Sequence, residues 1–246
     1  MFFNIALYGS EDVKKNLEWG KNIIEKVMQN SDLEYYIVDF DNHQTFKNYD
    51  VFLDNVKLKL VDIVSLYISE DTKQCSFSLL LENHSIYLRI NENSINESIC
   101  NLIIESLTLI NIKYGYIYVT DNEMYAKSYE GGHNFINIYD YEDSSLWEDA
   151  QYEEDDSFLT SKLRLVYNKN FINNFHLSIN IDNRTLKQLI VDEKFGSLLQ
   201  LSKDLYLWQV AEEQLESVNE LLGKNKILIS WIQPQTQISK PKKKIP

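Results

Sequence analysis

The sequence predicts an α+β fold: a largely antiparallel sheet with helices packed on one face, assembled from two halves. Three observations carry this. Short apolar runs of period two alternate with longer runs of period 3.6. A polar turn at Glu82, Asn83 and His84 joins two of the short runs as a hairpin. Neither half contains a Pro-rich or Gly/Ser-rich linker of its own. The halves, residues 1–138 and 158–239, are joined by an acidic segment at 139–157 and read as one composite domain, followed by a basic, disordered tail at 240–246.

In chain order, NIALYG (4–9) is a short strand. Ser10 is placed to cap the next helix, with Glu11 and Asp12 in its positive first turn and Val13, Leu17, Ile24 and Met28 at helical spacing. EYYIVDF (34–40) is a second strand, and VFLDNVKLKLVDIVSLYIS (51–69) fits either a helix or two strands. CSFSLLL (75–81) and SIYLRI (85–90) form the hairpin, in which Ile86, Leu88 and Ile90 alternate with Tyr87 and Arg89 to give one buried face. Ser94 and Glu97 have capping-box spacing ahead of a stripe of Ile99, Leu102, Ile103, Leu107 and Ile110. Gly115 falls beyond that helix, and YIYV (116–119) is a strand again.

The second half offers strands at KLRLVY (162–167), HLSIN (176–180) and FGSLLQL (195–201). A helix follows in LWQVAEEQLESVNELLG (207–223), lined by Trp208, Ala211, Leu215, Val218 and Leu222, with Gly223 at its C′ position. KILISWI (226–232) is the last strand.

Of the 246 residues, 44% are hydrophobic, which is enough for a packed core. The formal charge is −13; setting aside Lys240, Lys242, Lys243 and Lys244, the preceding 239 residues carry −17. Affinity for nucleic acid comes largely from Lys and Arg neutralising phosphates, so nucleic acid is excluded as a main ligand and a basic partner is expected. The start, MFFNIALYGSEDVKK, has neither the basic region nor the apolar core of a secretion signal, and no apolar run approaches the ~18 residues of a membrane span. A cytoplasmic address without membrane contact is expected, with Cys75 and Cys100 as reduced, buried thiols.

Catalytic signatures are missing. His43, His84, His133 and His176 are scattered, without HExxH, HxH or CxxC; there is no GxGxxG, GxxxxGK[ST] or GxSxG. No metal, cofactor or catalytic residue is assigned. YEGGH (129–133) alone could hold a ligand, through a Gly131–Gly132 backbone nest and a Glu130–His133 acid/base pair; as a plain glycine turn it needs no function.

The acidic segment YDYEDSSLWEDAQYEEDDS has nine acidic residues among nineteen and no basic one. Its order is too irregular for a calcium loop, which also requires a central glycine. Aromatic rings interleaved with carboxylates suit binding, because rigid rings are enriched at interface hot spots. The expected contact set is Asp140, Tyr141, Glu142, Asp143, Trp147, Glu148, Asp149, Tyr152, Glu153, Glu154 and Asp155, on an exposed connector.

The stretch FGSLLQLSKDLYLWQVAEEQLESVNELLGKNKIL resembles the closing segment of bacterial immunity proteins that neutralise polymorphic toxins, most closely the family numbered fifty-two. Gly196, Leu198, Ser202, Asp204, Glu212, Leu215, Leu221 and Leu222 carry the likeness, while Arg164 and Leu165 stand where that family has Gly-Trp. The resemblance implies a small non-enzymatic α+β protein that binds a cognate secreted toxin of nuclease type, delivered by a system such as type VI secretion. Carboxylates of the acidic segment would then lie in a basic groove where phosphates bind. A DNA-mimicking inhibitor, or an enzyme using the Glu130–His133 turn, are the alternatives.

Overall fold

The computed structural model describes residues 1–28, 33–39, 42–59, 65–69, 75–81, 84–132, 136–153, 156–192 and 195–234. Strand β1 (Phe2–Tyr8) runs through the middle of the sheet, and its alternation serves two cores. Ile5 and Leu7 enter one, Ala6 and Tyr8 the other.

Helix α1 (Val13–Met28) is capped by Asp12, whose Oδ1 accepts from Lys15 N at 3.1 Å. Ser10, the expected cap, is buried instead and donates to Asn16 Oδ1 at 2.7 Å. Strands β2 (Glu34–Asp39) and β3 (Asn42–Phe46) pair, and the ambiguous 51–69 stretch resolves into helix α2 (Tyr49–Lys59) followed by strand β4 (Ser65–Ser69). The predicted hairpin is β5 (Cys75–Leu80) with β6 (Ser85–Asn91), in register from Cys75–Ile90 to Leu80–Ser85. Glu82 and Asn83 of its turn lie outside the described residues.

Asn96 caps α3 (Glu97–Ser106) by accepting from Ile99 N at 3.0 Å, while Ser94 belongs to a preceding 3₁₀ turn, so the expected capping box gives way to a nearer oxygen. In β7 (Tyr114–Thr120), Gly115 is a strand residue rather than a helix terminator; a Cβ there would lie 2.6 Å from the Ala6 carbonyl of β1.

The acidic connector is folded. After α4 (Glu123–Gly131), it forms a turn and then helix α5 (Ser145–Tyr152). The second half follows with β8 (Lys169–Asn173), α6 (Asn174–Leu177), β9 (Asn180–Ile181), β10 (Arg184–Thr185), α7 (Leu186–Asp192), β11 (Ser197–Gln200), β12 (Leu205–Gln209) and α8 (Glu212–Lys224). Residues 163–167 are buried but not a strand, Lys162 is half-buried, and HLSIN is split between α6 and β9. Trp208 lies on β12, not on the last helix. Gly223 is inside α8, where a Cβ would strike the Trp231 indole, and Asn225 ends the helix. The expected last strand makes only isolated bridges, Leu228 to Leu163 and Trp231 to Glu142.

Ten strands form one sheet in the order β11-β12-β8-β7-β1-β6-β5-β4-β2-β3, with every pairing antiparallel, so strands of both halves share it. The α+β class and antiparallel pairing are as predicted, and helices cover the second face as well. Leu17, Ile23, Phe52, Ile103 and Leu107 of α1, α2, α3 and the turn after it cover one face. Tyr129, Trp147, Leu186, Leu215 and Val218 of α4, α5, α7 and α8 cover the other. Cys75 and Cys100 are free thiols, and burial pushes Cys75 up to about 12. No helix among the described residues is long and apolar enough to cross a membrane.

Candidate functional site

The acidic segment is tied to the protein at Glu142. Its backbone N–H bonds Tyr139 O at 3.1 Å and closes the turn, while Asp143 N donates to Ser230 O at 2.8 Å and Ile232 N to Tyr141 O at 2.9 Å. The Glu142 side chain points inward. Oε1 accepts from Tyr129 OH at 2.7 Å and faces Arg164 Nη2 at 3.5 Å, and Oε2 accepts from Ile138 N at 2.9 Å. Arg164 is itself buried: Nη1 donates to Tyr116 OH at 3.0 Å and Tyr129 O at 2.6 Å, and the guanidinium lies 3.7 Å from the Tyr129 ring centre.

Two buried charges need each other, because an isolated one costs several kcal/mol. Burial raises the Glu142 carboxyl above its usual range, and Arg164, Tyr129 and two backbone N–H groups oppose that rise. At Arg164 burial works against the charge, while Tyr116, Tyr129, Tyr167 and Glu142 outweigh it and hold the guanidinium charged. A second buried pair, Arg89 with Glu130 at 3.2 Å, lies nearby, and Tyr118 OH donates to the same Glu130 oxygen at 3.1 Å. Glu130 is thus committed to an ion pair inside the protein, and His133, its expected partner, lies outside the described residues. Gly132 is the left-handed C-cap of α4, at φ +79°, with room for a Cβ taken by Ser144 O at 2.6 Å.

Three of the expected contact residues are therefore interior. Trp147 is 0% exposed, between Tyr8 and Phe158 at ring distances of 5.4 and 5.0 Å, and its indole N–H donates to Glu130 O at 3.2 Å. Glu142 is buried as described. Tyr141 is buried too, stacked on Tyr139 with ring centres 5.0 Å apart and planes 5° apart. The surface-anchor reading of Trp147 fails because α5 turns that residue, with Ala150, toward the core.

The remaining residues divide by position. Asp140, Asp149 and Glu153 are exposed; Asp143 and Glu148 are half-buried, and Asp143 Oδ1 accepts from Ser145 N at 3.1 Å at the start of α5. Tyr152 is the last residue of α5; its side chain, like Glu154 and Asp155, lies outside the described residues.

Folding adds charge that the segment lacks by itself. Asn219 of α8 donates to Tyr141 OH at 3.4 Å, bringing the helix against the 139–143 turn. Glu212, Glu213, Glu216 and Glu220 line the exposed side of α8. Burial first, then Tyr141, Glu212 and Glu142, push the Tyr139 hydroxyl above its usual range. Burial does the same at Tyr141, against the Asn219 bond and with Glu142, Glu212 and Glu216 adding. The result is a face in which exposed carboxylates from two distant sequence regions flank a stacked tyrosine pair. The glutamates of α8 are a surface helix pattern in the sequence; in the fold the Asn219–Tyr141 contact joins them to the acidic segment. Among the described residues, no group of three or more His, Cys, Asp or Glu side chains could hold a metal ion.

No protein-family model matches this chain, and no curated protein sequence does either. Among solved structures, it is similar to the Pseudomonas aeruginosa T6SS protein PA0821, with a TM-score of 0.53 over 93% of this chain and 73% of that one. At 7% identity, what the two share is the fold.

Proposed function

We propose that this chain is an immunity protein: it binds a cognate secreted toxin of nuclease type in the cytoplasm and covers the toxin's basic surface, acting by binding rather than by catalysis. One observation carries the reading, the union of exposed Asp140 with Glu212 and Glu216 around the Tyr139–Tyr141 stack. A nuclease concentrates positive charge where it holds phosphates, and an inhibitor that offers fixed carboxylates there gains complementarity and a steered encounter. The fold shared with a protein of the T6SS supports a role connected with secretion. Arg164 and Glu142 hold the turn in place from beneath, so the exposed carboxylates project from a fixed backbone.

The test is co-expression with the product of the neighbouring reading frame, followed by purification and a nuclease assay. A stable complex with a basic protein whose nuclease activity is suppressed is expected. Absence of a complex, or full nuclease activity within one, would overturn the proposal.

A further inference from the structure

Strand β11 ends the sheet, and its hydrogen-bonding parity can be read from its neighbours. Leu201 N donates to Leu205 O at 2.9 Å, toward β12. In an antiparallel ladder alternate residues turn their N–H and C=O to the same side. Ser197 and Leu199, which share parity with Leu201 and pair with Gln209 and Leu207, therefore bond to β12. Leu198 and Gln200 direct their backbone groups outward. The opposite edge of β12 agrees, since Val210 N donates to Asn168 O, on the β8 side.

Among the described residues this four-residue edge strand carries neither charge nor proline, two of the devices that keep natural edges apart. Residues 195–202, FGSLLQLS, contain no charged side chain, and residues 169–209, with five basic and four acidic side chains, have a net charge of +1 in a chain of −13. Leu199 is 55% exposed, and Val191 on the adjoining α7 is exposed as well.

We infer that two copies of the chain join through β11, antiparallel, about a two-fold axis at Leu199 and perpendicular to the sheet. The occupant follows from register and charge. A continuous sheet keeps its faces only if each residue meets one of the same parity, and pairing Leu199 with the second copy's Leu199 sets Leu198 opposite Gln200 on both sides of the axis. All four outward N–H groups then find outward carbonyls, and the two Leu199 side chains meet in a non-hydrogen-bonded pair, where Cα atoms are about 4.5 Å apart. A copy of equal negative charge is repelled by the acidic face but meets no net negative charge here. The contact is small, so the pair is a weak one, with a dissociation constant on the order of 10 to 100 μM.

Sedimentation equilibrium of the full chain tests this, with Leu199→Lys and Leu199→Glu examined separately and mixed. The parent should self-associate as concentration rises, and each variant alone should dissociate at least about tenfold more readily, because like charges then face each other across the axis. An equimolar mixture should recover the dimer, which also shows that both variants are folded. A parent that stays monomeric up to about 1 mM, variants that dimerise like the parent, or a mixture that does not recover would each overturn the inference. Self-association needs no toxin, so this result is independent of what the acidic face binds.

Discussion

Replacing Trp147 by Ala separates the two roles its sequence context allows. In the structure the indole is fully enclosed, wedged between Tyr8 and Phe158, 5.5 Å from the Arg164 guanidinium, and bonded through Nε1 to Glu130 O. Truncating a buried aromatic to Ala costs about 3–5 kcal/mol through lost transfer energy and the cavity left behind. Here the Glu130 carbonyl also loses a donor in a dry interior, adding about 1–3 kcal/mol. The expected loss of about 4 kcal/mol or more is a large part of a domain's stability of about 5–15 kcal/mol. Urea titration followed by tryptophan fluorescence and circular dichroism measures it. An exposed anchor would instead leave stability within about 0.5 kcal/mol and weaken partner binding by at least about 2 kcal/mol. That second pattern would refute the placement of α5.

Two further outcomes are expected. His176 is buried with Nδ1 accepting from Asn173 N and Nε2–H donating to Phe158 O, and burial pushes its pKa down to about 4. Its contribution to stability is therefore complete above the unfolded value of about 6.5 and is lost as pH falls through about 4, amounting to about 3 kcal/mol; an imidazole that titrates near 6.5 by NMR in the folded protein would contradict this. Gly132→Ala forces a side chain into the left-handed cap and onto Ser144 O, so it should cost about 2 kcal/mol or more in thermal or urea melts, and a neutral result would show that the α4 terminus is built differently.

Much of the fold is legible because periodicity reports burial directly. The Val13–Leu17–Ile24 stripe, the hairpin of alternating Ile86, Leu88 and Ile90, and the Leu215–Val218–Leu222 stripe each mark a face that does pack. Both helix caps lie two residues beyond the expected ones because several neighbouring side chains can supply the same oxygen: Asp12 stands in for Ser10, and Asn96 for Ser94. The acidic segment misled because composition averages over positions. Its charge is real, yet Trp147 and Glu142 face inward while Asp140, Asp149 and Glu153 stay exposed. The missing signal was Arg164, a lone cation within the apolar run of Leu163, Leu165, Val166 and Tyr167, all buried. Such a cation needs a carboxylate beneath the surface, and Glu142 among tyrosines was a fitting candidate. The β11 edge is likewise visible only once the strand order is known, since FGSLLQL reads alike as an edge or an interior strand.

If the acidic face recognises a basic toxin, as proposed, the association rate of the purified pair must depend on salt through that face. Asp140→Asn, Glu212→Gln and Glu216→Gln are combined in one variant; Glu18→Gln and Glu25→Gln, on exposed positions of α1 across the sheet, form the control. Exposed charges are screened beyond about 10 Å at 0.1 M salt, and steering contributes about 10- to 1,000-fold to the encounter rate. The parent and the control should therefore associate fast at low salt and slow steeply as salt rises. The triple variant should begin at least about tenfold slower and vary little with salt. Equal rates and equal salt slopes for parent and triple variant, or a loss confined to the α1 control, would contradict the account.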